Sequence, residues 1–159
     1  HSPIDEVLGD DRAMRMGMQD GLPQVPSEIN LIYDFGGYPD ARVIEASKQA
    51  NYIIVPIIYE SPLEMQVTIN ALAEIEKYNE SIIIVLNKAK PGDYDRAHQV
   101  FTEFGYEYPI FELKQSTALS RAIEQKKSLQ QLVDESPLFS FHYSKPLEQV
   151  RSLIKAISN

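Results

Sequence analysis

Cysteine is absent from this chain, and so is tryptophan. Without thiols there can be no disulfide framework, no thiolate metal centre and no cysteine nucleophile. Histidine is scarce: the three stand at positions 1, 98 and 142, with no His-x-x-x-His spacing, so no His-built zinc site is expected. Long apolar runs are missing too. Those present, such as Ile82 to Leu86, are far too short to cross a bilayer, and no basic-then-apolar leader opens the sequence. A soluble, cytoplasmic protein without a membrane partner is the expectation. Basic charge is in deficit: 15 Lys and Arg against 23 Asp and Glu leave a formal net charge of -8. That field repels phosphate backbones, so nucleic acid would have to be met by a local basic patch or through a partner. Two phosphate-cradling loops are also lacking, Gly-x-x-x-x-Gly-Lys-Ser/Thr and Gly-x-Gly-x-x-Gly, as is the Gly-x-Ser-x-Gly elbow of serine hydrolases.

What remains is the composition of an ordinary globular domain, 43% hydrophobic and 24% charged over 159 residues, enough for one core and cramped for two. Residues 1–159 therefore read as a single domain. Ser2 to Pro26 is irregular and predicts a short helix and a loop. Beyond it, apolar runs at Leu31 to Tyr33, Tyr52 to Ile58, Ile82 to Leu86 and Ile110 to Leu113 alternate with longer amphipathic stretches. The Ile- and Val-rich runs show no polar alternation, as in strands of a parallel sheet covered on both faces. Ser61-Pro62-Leu63-Glu64 offers a helix start, and Leu63, Val67, Leu72 and Ile75 keep roughly helical spacing behind it. Gly92-Asp93 and Ser116 open two more helices. From Ser144 onward, Leu147, Val150, Leu153, Ile154 and Ile157 form a stripe that should pack on the sheet. The fold class is α/β: a doubly wound, mainly parallel sheet with helices on both faces, in which ligands bind outside the carboxyl ends of the strands.

Two segments carry candidate chemistry. Leu31-Ile32-Tyr33-Asp34-Phe35-Gly36-Gly37 would present the Asp34 carboxylate at a strand's carboxyl end, with Gly36 and Gly37 letting backbone approach a phosphate. Asp34 could then hold a Mg²⁺ shell or a water. The same residues also read as a strand and a Gly turn, with Asp34 capping the next helix. Val85-Leu86-Asn87-Lys88 places an amide at the same edge, where it could read a nucleobase or simply close a turn. Lys90 stands where a guanine-selecting Asp would be. Asp10-Asp11 and Asp93/Asp95 read as solvated turns or caps, and His98 as a surface or core-edge residue of a helix.

Taken in order, these segments resemble the latter part of the ParA/MinD-type P-loop ATPases. Asp34-Phe35-Gly36-Gly37 is similar to that family's Walker B and switch II, and Ile54-Val55-Pro56 with Ser61-Pro62-Leu63 to its strand ending in Val-Pro and the helix start that follows. Ile84-Val85-Leu86-Asn87 resembles the strand whose Asn sits at the adenine, and Ile110 to Lys114 with Ala118, Ala122, Lys126 and Ser128 the next strand and helix. The resemblance spans nearly the whole chain. It implies a P-loop NTPase-like fold lacking its first strands, and an ATPase of DNA partition in which ATP drives homodimerisation and switches DNA or adaptor-protein binding. ATP and Mg²⁺ would be the cofactors. Asp34 would be catalytic and would hold Mg²⁺ through water, while Gly36, Gly37, Asn87 and Lys88 would bind nucleotide. Nonspecific DNA would meet Lys114, Arg121, Lys126 and Lys127, opposed within that stretch by Glu124. The family's deviant Walker A loop and second strand are not found. The implied missing strand is central, so this chain is expected not to hydrolyse ATP unaided, and to pair its open edges with another chain or a companion peptide. The alternative is a non-catalytic α/β scaffold or interaction domain that has lost nucleotide binding. A flavodoxin-like or receiver-like domain fits less well, because the acidic cluster at Asp10 does not follow an apolar strand.

Overall fold

The computed structural model describes residues 7–8, 11–17, 19–35, 41–135 and 140–158. At its centre lies β2 (Ile82–Ala89), paired in parallel with β1 (Ile53–Ile57) on one side and β3 (Ile110–Lys114) on the other. Strand order follows chain order, so each step across the sheet is a helical crossover: α2 (Pro62–Glu76) from β1 to β2, then α3 (Asp93–Glu103) from β2 to β3. Helix α1 (Arg42–Gln49) precedes β1, while α4 (Thr117–Glu124), α5 (Leu129–Glu135) and α6 (Ser140–Ile157) follow β3. The chain is thus an α/β protein with a parallel sheet flanked by helices.

Burial explains the absence of polar alternation in β2, where Ile82 to Leu86 are each 0 to 4% exposed. Successive side chains leave opposite faces of a strand. Ile82, Ile84 and Leu86 join Met65, Ile69 and Leu72 of α2 and Ala97, Val100 and Phe101 of α3 in the main core. Ile83 and Val85 point the other way and are equally buried, so the second face is covered as well. A smaller core gathers Ala118 and Ala122 of α4, Leu129 and Leu132 of α5 and Tyr143 of α6, with Leu147 and Val150 packed against it.

Local chemistry sets the helix ends. Ser61 Oγ accepts the Glu64 amide at 3.3 Å, and Ser116 Oγ the Ala118 amide at 3.1 Å, as N-caps do. Ser128 and Gln131 form a reciprocal capping box at α5: the Ser128 hydroxyl accepts the Gln131 amide, and Gln131 Oε1 accepts the Ser128 amide. Gly105, at φ 82°, ends α3 in a Schellman turn, with the Tyr106 amide on the Phe101 carbonyl and the Gly105 amide on that of Thr102.

Three expectations need correction. Leu31 to Tyr33 is not a strand, and Ile32 is 85% exposed. A strand exists only through a neighbour's ladder, and among the described residues β1 and β3 are each bonded to β2 alone. Tyr33 instead donates its hydroxyl to the Pro23 carbonyl at 3.3 Å and lies against the Phe35 ring. On α2 the buried stripe is Met65, Ile69 and Leu72, whereas Leu63 and Val67 are 74% and 69% exposed. That helix has apolar residues on more than one side, so periodicity left its phase open. Finally, α6 begins at Ser140 rather than Ser144, with Pro146 inside it and unable to donate to the His142 carbonyl.

The approach to β3 holds one unmet polar group. Tyr108 stacks on Tyr106 at 5.1 Å and meets Phe101 edge-on at 6.1 Å, but its buried hydroxyl has no hydrogen-bond partner among the described residues. Burial first, and the nearby Glu76 carboxylate second, hold that phenol protonated far above its usual range. A sealed, unpaired hydroxyl destabilises the fold by its lost hydration. Tyr108→Phe is therefore expected to raise the unfolding free energy by about 1 kcal/mol in urea titrations. A loss of similar size would show that the hydroxyl is satisfied.

Candidate functional site

In a parallel sheet every strand delivers its following loop to one edge, and here that edge collects Tyr59 and Ser61 after β1, Asn87 to Lys90 at the end of β2, and Lys114 to Ser116 at the end of β3. β2 ends irregularly. Asn87 pairs with Leu113 and Ala89 with the next residue, Lys114, so Lys88 is an extra residue bulged out of the ladder. Its φ is 53°, a left-handed backbone that side chains with a Cβ rarely adopt. Asn87, half-buried, turns its side chain back so that Oδ1 accepts the Lys88 amide at 2.9 Å. The bulge leaves Lys88 exposed at the edge and leaves Asn87 Nδ2 without a partner among the described residues. Backbone strain of this kind collects at functional sites. Lys88→Gly removes the Cβ clash, so it should stabilise the chain by about 1 kcal/mol in chemical denaturation. A destabilisation would mean that the Lys88 side chain contributes more than its backbone costs.

The loop after β2 is held by one carboxylate. Asp93 is almost fully buried; its Oδ2 accepts the Lys90 amide at 2.8 Å, and its Oδ1 pairs with Arg96 at 2.5 Å. The Arg96 guanidinium in turn lies over the Tyr59 ring at 5.5 Å, tying the end of β1 to the start of α3. Gly92, at φ 84°, makes the turn between, where an added Cβ would meet the Arg96 guanidinium at 3.1 Å. The Lys90 amide, chiefly, and then Arg96 hold the Asp93 carboxyl below its ordinary 3.8, against the opposing effect of burial. A depressed carboxylate contributes stability above its unfolded pKa and loses it as pH falls through the lower folded value. Stability should therefore fall below about pH 4. Asp93→Asn is expected to destabilise the chain at pH 7 and to flatten that acid limb, as read by urea unfolding at pH 7 and pH 3. An unchanged acid limb would assign it to other carboxylates.

The remaining candidates are scattered. Asp34 is exposed in an irregular segment rather than at a strand's end, because Leu31 to Tyr33 forms no strand. Gly36 and Gly37 lie outside the described residues. Lys114 ends β3, its amide donating to Gln149 Oε1 of α6 at 3.3 Å. Arg121 sits on α4 and lines a cleft against α6. Lys126 occupies the left-handed position that ends α4, at φ 54°, in the same Schellman pattern as Gly105. Lys127 is ion-paired with Glu135 of α5, which lowers the local positive charge. His98 is exposed on α3 and stacks on Tyr94, as its reading as a surface residue requires.

Among the described residues no three His, Asp or Glu side chains gather as a metal would need. Asp34 would meet Mg²⁺ as a single carboxylate, a partial set of the kind Mg²⁺ completes with water and nucleotide phosphate oxygens. Asp93, read from sequence as a solvated turn or cap, is instead a buried link between two strand ends. The Asp-to-Arg spacing of three within a helix start was the available signal. No helix of the described residues is long and apolar enough to cross a membrane. No family model, curated protein or solved structure matches the chain.

Proposed function

We propose that the chain is the nucleotide-facing part of a ParA/MinD-type P-loop ATPase of DNA partition, working as an ATP-dependent homodimer that switches binding to DNA or to an adaptor protein. The observation that carries this reading is the parallel order β1-β2-β3 with Asn87 and a strained Lys88 at the carboxyl end of the middle strand. Asn87 Nδ2 remains able to donate to a base, and Oδ1 keeps a second lone pair beside the one used by Lys88. Asp34 would orient water and a phosphate-held Mg²⁺, Gly36 and Gly37 would bring backbone amides to phosphate, and Lys114, Arg121, Lys126 and Lys127 would meet the DNA backbone. Bound Mg²⁺ would neutralise charge on the transferring phosphoryl group. A second reading, a non-catalytic α/β scaffold, is favoured by the use of Asn87 Oδ1 in a local turn and by the absence of strand structure before Asp34.

Nucleotide binding by the 159-residue chain separates the two. Under the ATPase reading, Mg-ATP shifts the Asn87 and Lys88 amide resonances, and Asn87→Ala weakens binding about tenfold, the loss of one good pair of base contacts. No hydrolysis is expected without a P-loop. Once a P-loop segment is joined to the chain, Asp34→Ala should abolish turnover while leaving the fold intact. Resonances that ignore Mg-ATP would leave the scaffold reading standing.

A further inference from the structure

Past the end of β3, a cleft of about 330 Å³ opens between α4 and α6, lined by Ser116, Thr117, Ala118, Arg121, His142 and Tyr143. That volume lies at the lower end of the range for small-molecule sites. Its lining is unusual for a chain of net charge -8: two of the six residues can carry positive charge, three carry hydroxyls, and no Asp or Glu is among them. The Arg121 guanidinium has no hydrogen-bond or ion-pair partner among the described residues. Ser116 Oγ accepts the Ala118 amide, so its own hydrogen is left to donate elsewhere.

Tyr143 adds an independent observation. It is only 6% exposed and belongs to the second core, yet its hydroxyl makes no hydrogen bond among the described residues. Unlike the hydroxyl of Tyr108, it is not sealed away from the space around it. A buried phenol normally finds a partner, and Tyr143 is one of the residues that line the cleft. A guanidinium fork, hydroxyl donors and an unpartnered phenol from two separate helices make a concave wall that offers mostly donors.

We propose that this cleft is a binding site for a small oxyanion, a phosphate or carboxylate group. Arg121 takes two of its oxygens in bidentate fashion, and Tyr143 Oη with the Ser116 and Thr117 hydroxyls fixes its orientation. None of Asp34, Asn87 or Lys88 lines the cleft, so the assignment does not rest on the ATPase reading. It also gives Arg121 a use that needs no nucleic acid.

The test titrates the whole chain with inorganic phosphate and, separately, with succinate, at ionic strength held constant with chloride. Saturable, localised shifts of the 116–118, 121 and 143 amides are expected with at least one anion, together with a rise in melting temperature that follows ligand concentration. The tighter of the two identifies the group. Arg121→Gln should weaken binding about tenfold, and Arg121→Lys, which keeps the charge without the fork, should recover part of that loss. Tyr143→Phe should weaken it about threefold while leaving the anion-free melting temperature within about 2 °C, because no protein hydrogen bond is removed. Shifts that fail to saturate with both anions, or an affinity unchanged in Arg121→Gln, would overturn the assignment.

Discussion

The structure depends on a single strand being dry on both faces and paired on both edges. β2 has no polar side chain before Asn87, and its first five residues lie between two layers that cannot be brought together without it. Burying side chains of this size contributes roughly 1.5 to 3 kcal/mol each, on the scale of the whole net stability of a domain. Everything else is arranged around that need. α2 and α3 supply Met65, Ile69, Leu72, Ala97, Val100 and Phe101 to one face, and the crossovers that carry them force β1 and β3 to run parallel to β2. A polar residue at Ile84, fully buried, would break the main core at its midpoint.

The same constraint explains why the chemistry gathers where it does. A strand buried on both faces can offer polar groups only at its end, and β2 changes character within two residues, from Leu86 to a half-buried Asn87 and an exposed Lys88. The bulge at Lys88 ends the regular ladder, and the Asp93, Arg96 and Tyr59 contacts then fix the turn that follows. One loop is thereby held by two strands and a helix. Such over-determination is what a left-handed lysine requires if it is to persist.

What could be read from the sequence divides along the same line. The apolar runs Tyr52 to Ile58, Ile82 to Leu86 and Ile110 to Leu113 were legible as strands, most plainly in β2, where burial on both faces leaves an unbroken apolar signature, and Ser61, Gly92 and Ser116 were legible because capping is local chemistry. Leu31 to Tyr33 carries the same apolar signature and forms no strand, since a strand is a relation to a neighbour and the neighbour is not written in the segment. The side of α2 that faces the sheet was hidden for a related reason: Leu63 and Val67 suit a helical stripe as well as Met65 and Ile69 do, and only the sheet selects between them. Of the candidate site, the positions of Asn87 and Lys88 at the carboxyl end of β2 were legible. The burial of Asp93 and the meeting of Arg121 with Tyr143 were not, because each joins elements that no local pattern connects.

Among the described residues the sheet stops at β1, and the outer edge of that strand shows how it can do so with one side open. The Ile53 amide donates toward β2, to the Ser81 carbonyl, so alternation turns Val55 and Ile57 inward with it and turns Ile54 and Pro56 outward. Pro56 has no N–H. Within the strand, Ile54 is then the one outward donor, although both outward residues keep their carbonyls. An added strand would find half the donors of an ordinary edge, and the proline ring would stand in its path. Proline at such a position is one of the means by which edge strands resist pairing with other chains. The Val-Pro step that carries part of the family resemblance thus has a physical consequence of its own: it tolerates a neighbour that donates to β1 and disfavours one that must accept from it. A parallel neighbour reaching this edge would be held mainly by its own amides on the Ile54 and Pro56 carbonyls, and its register would be set by that requirement.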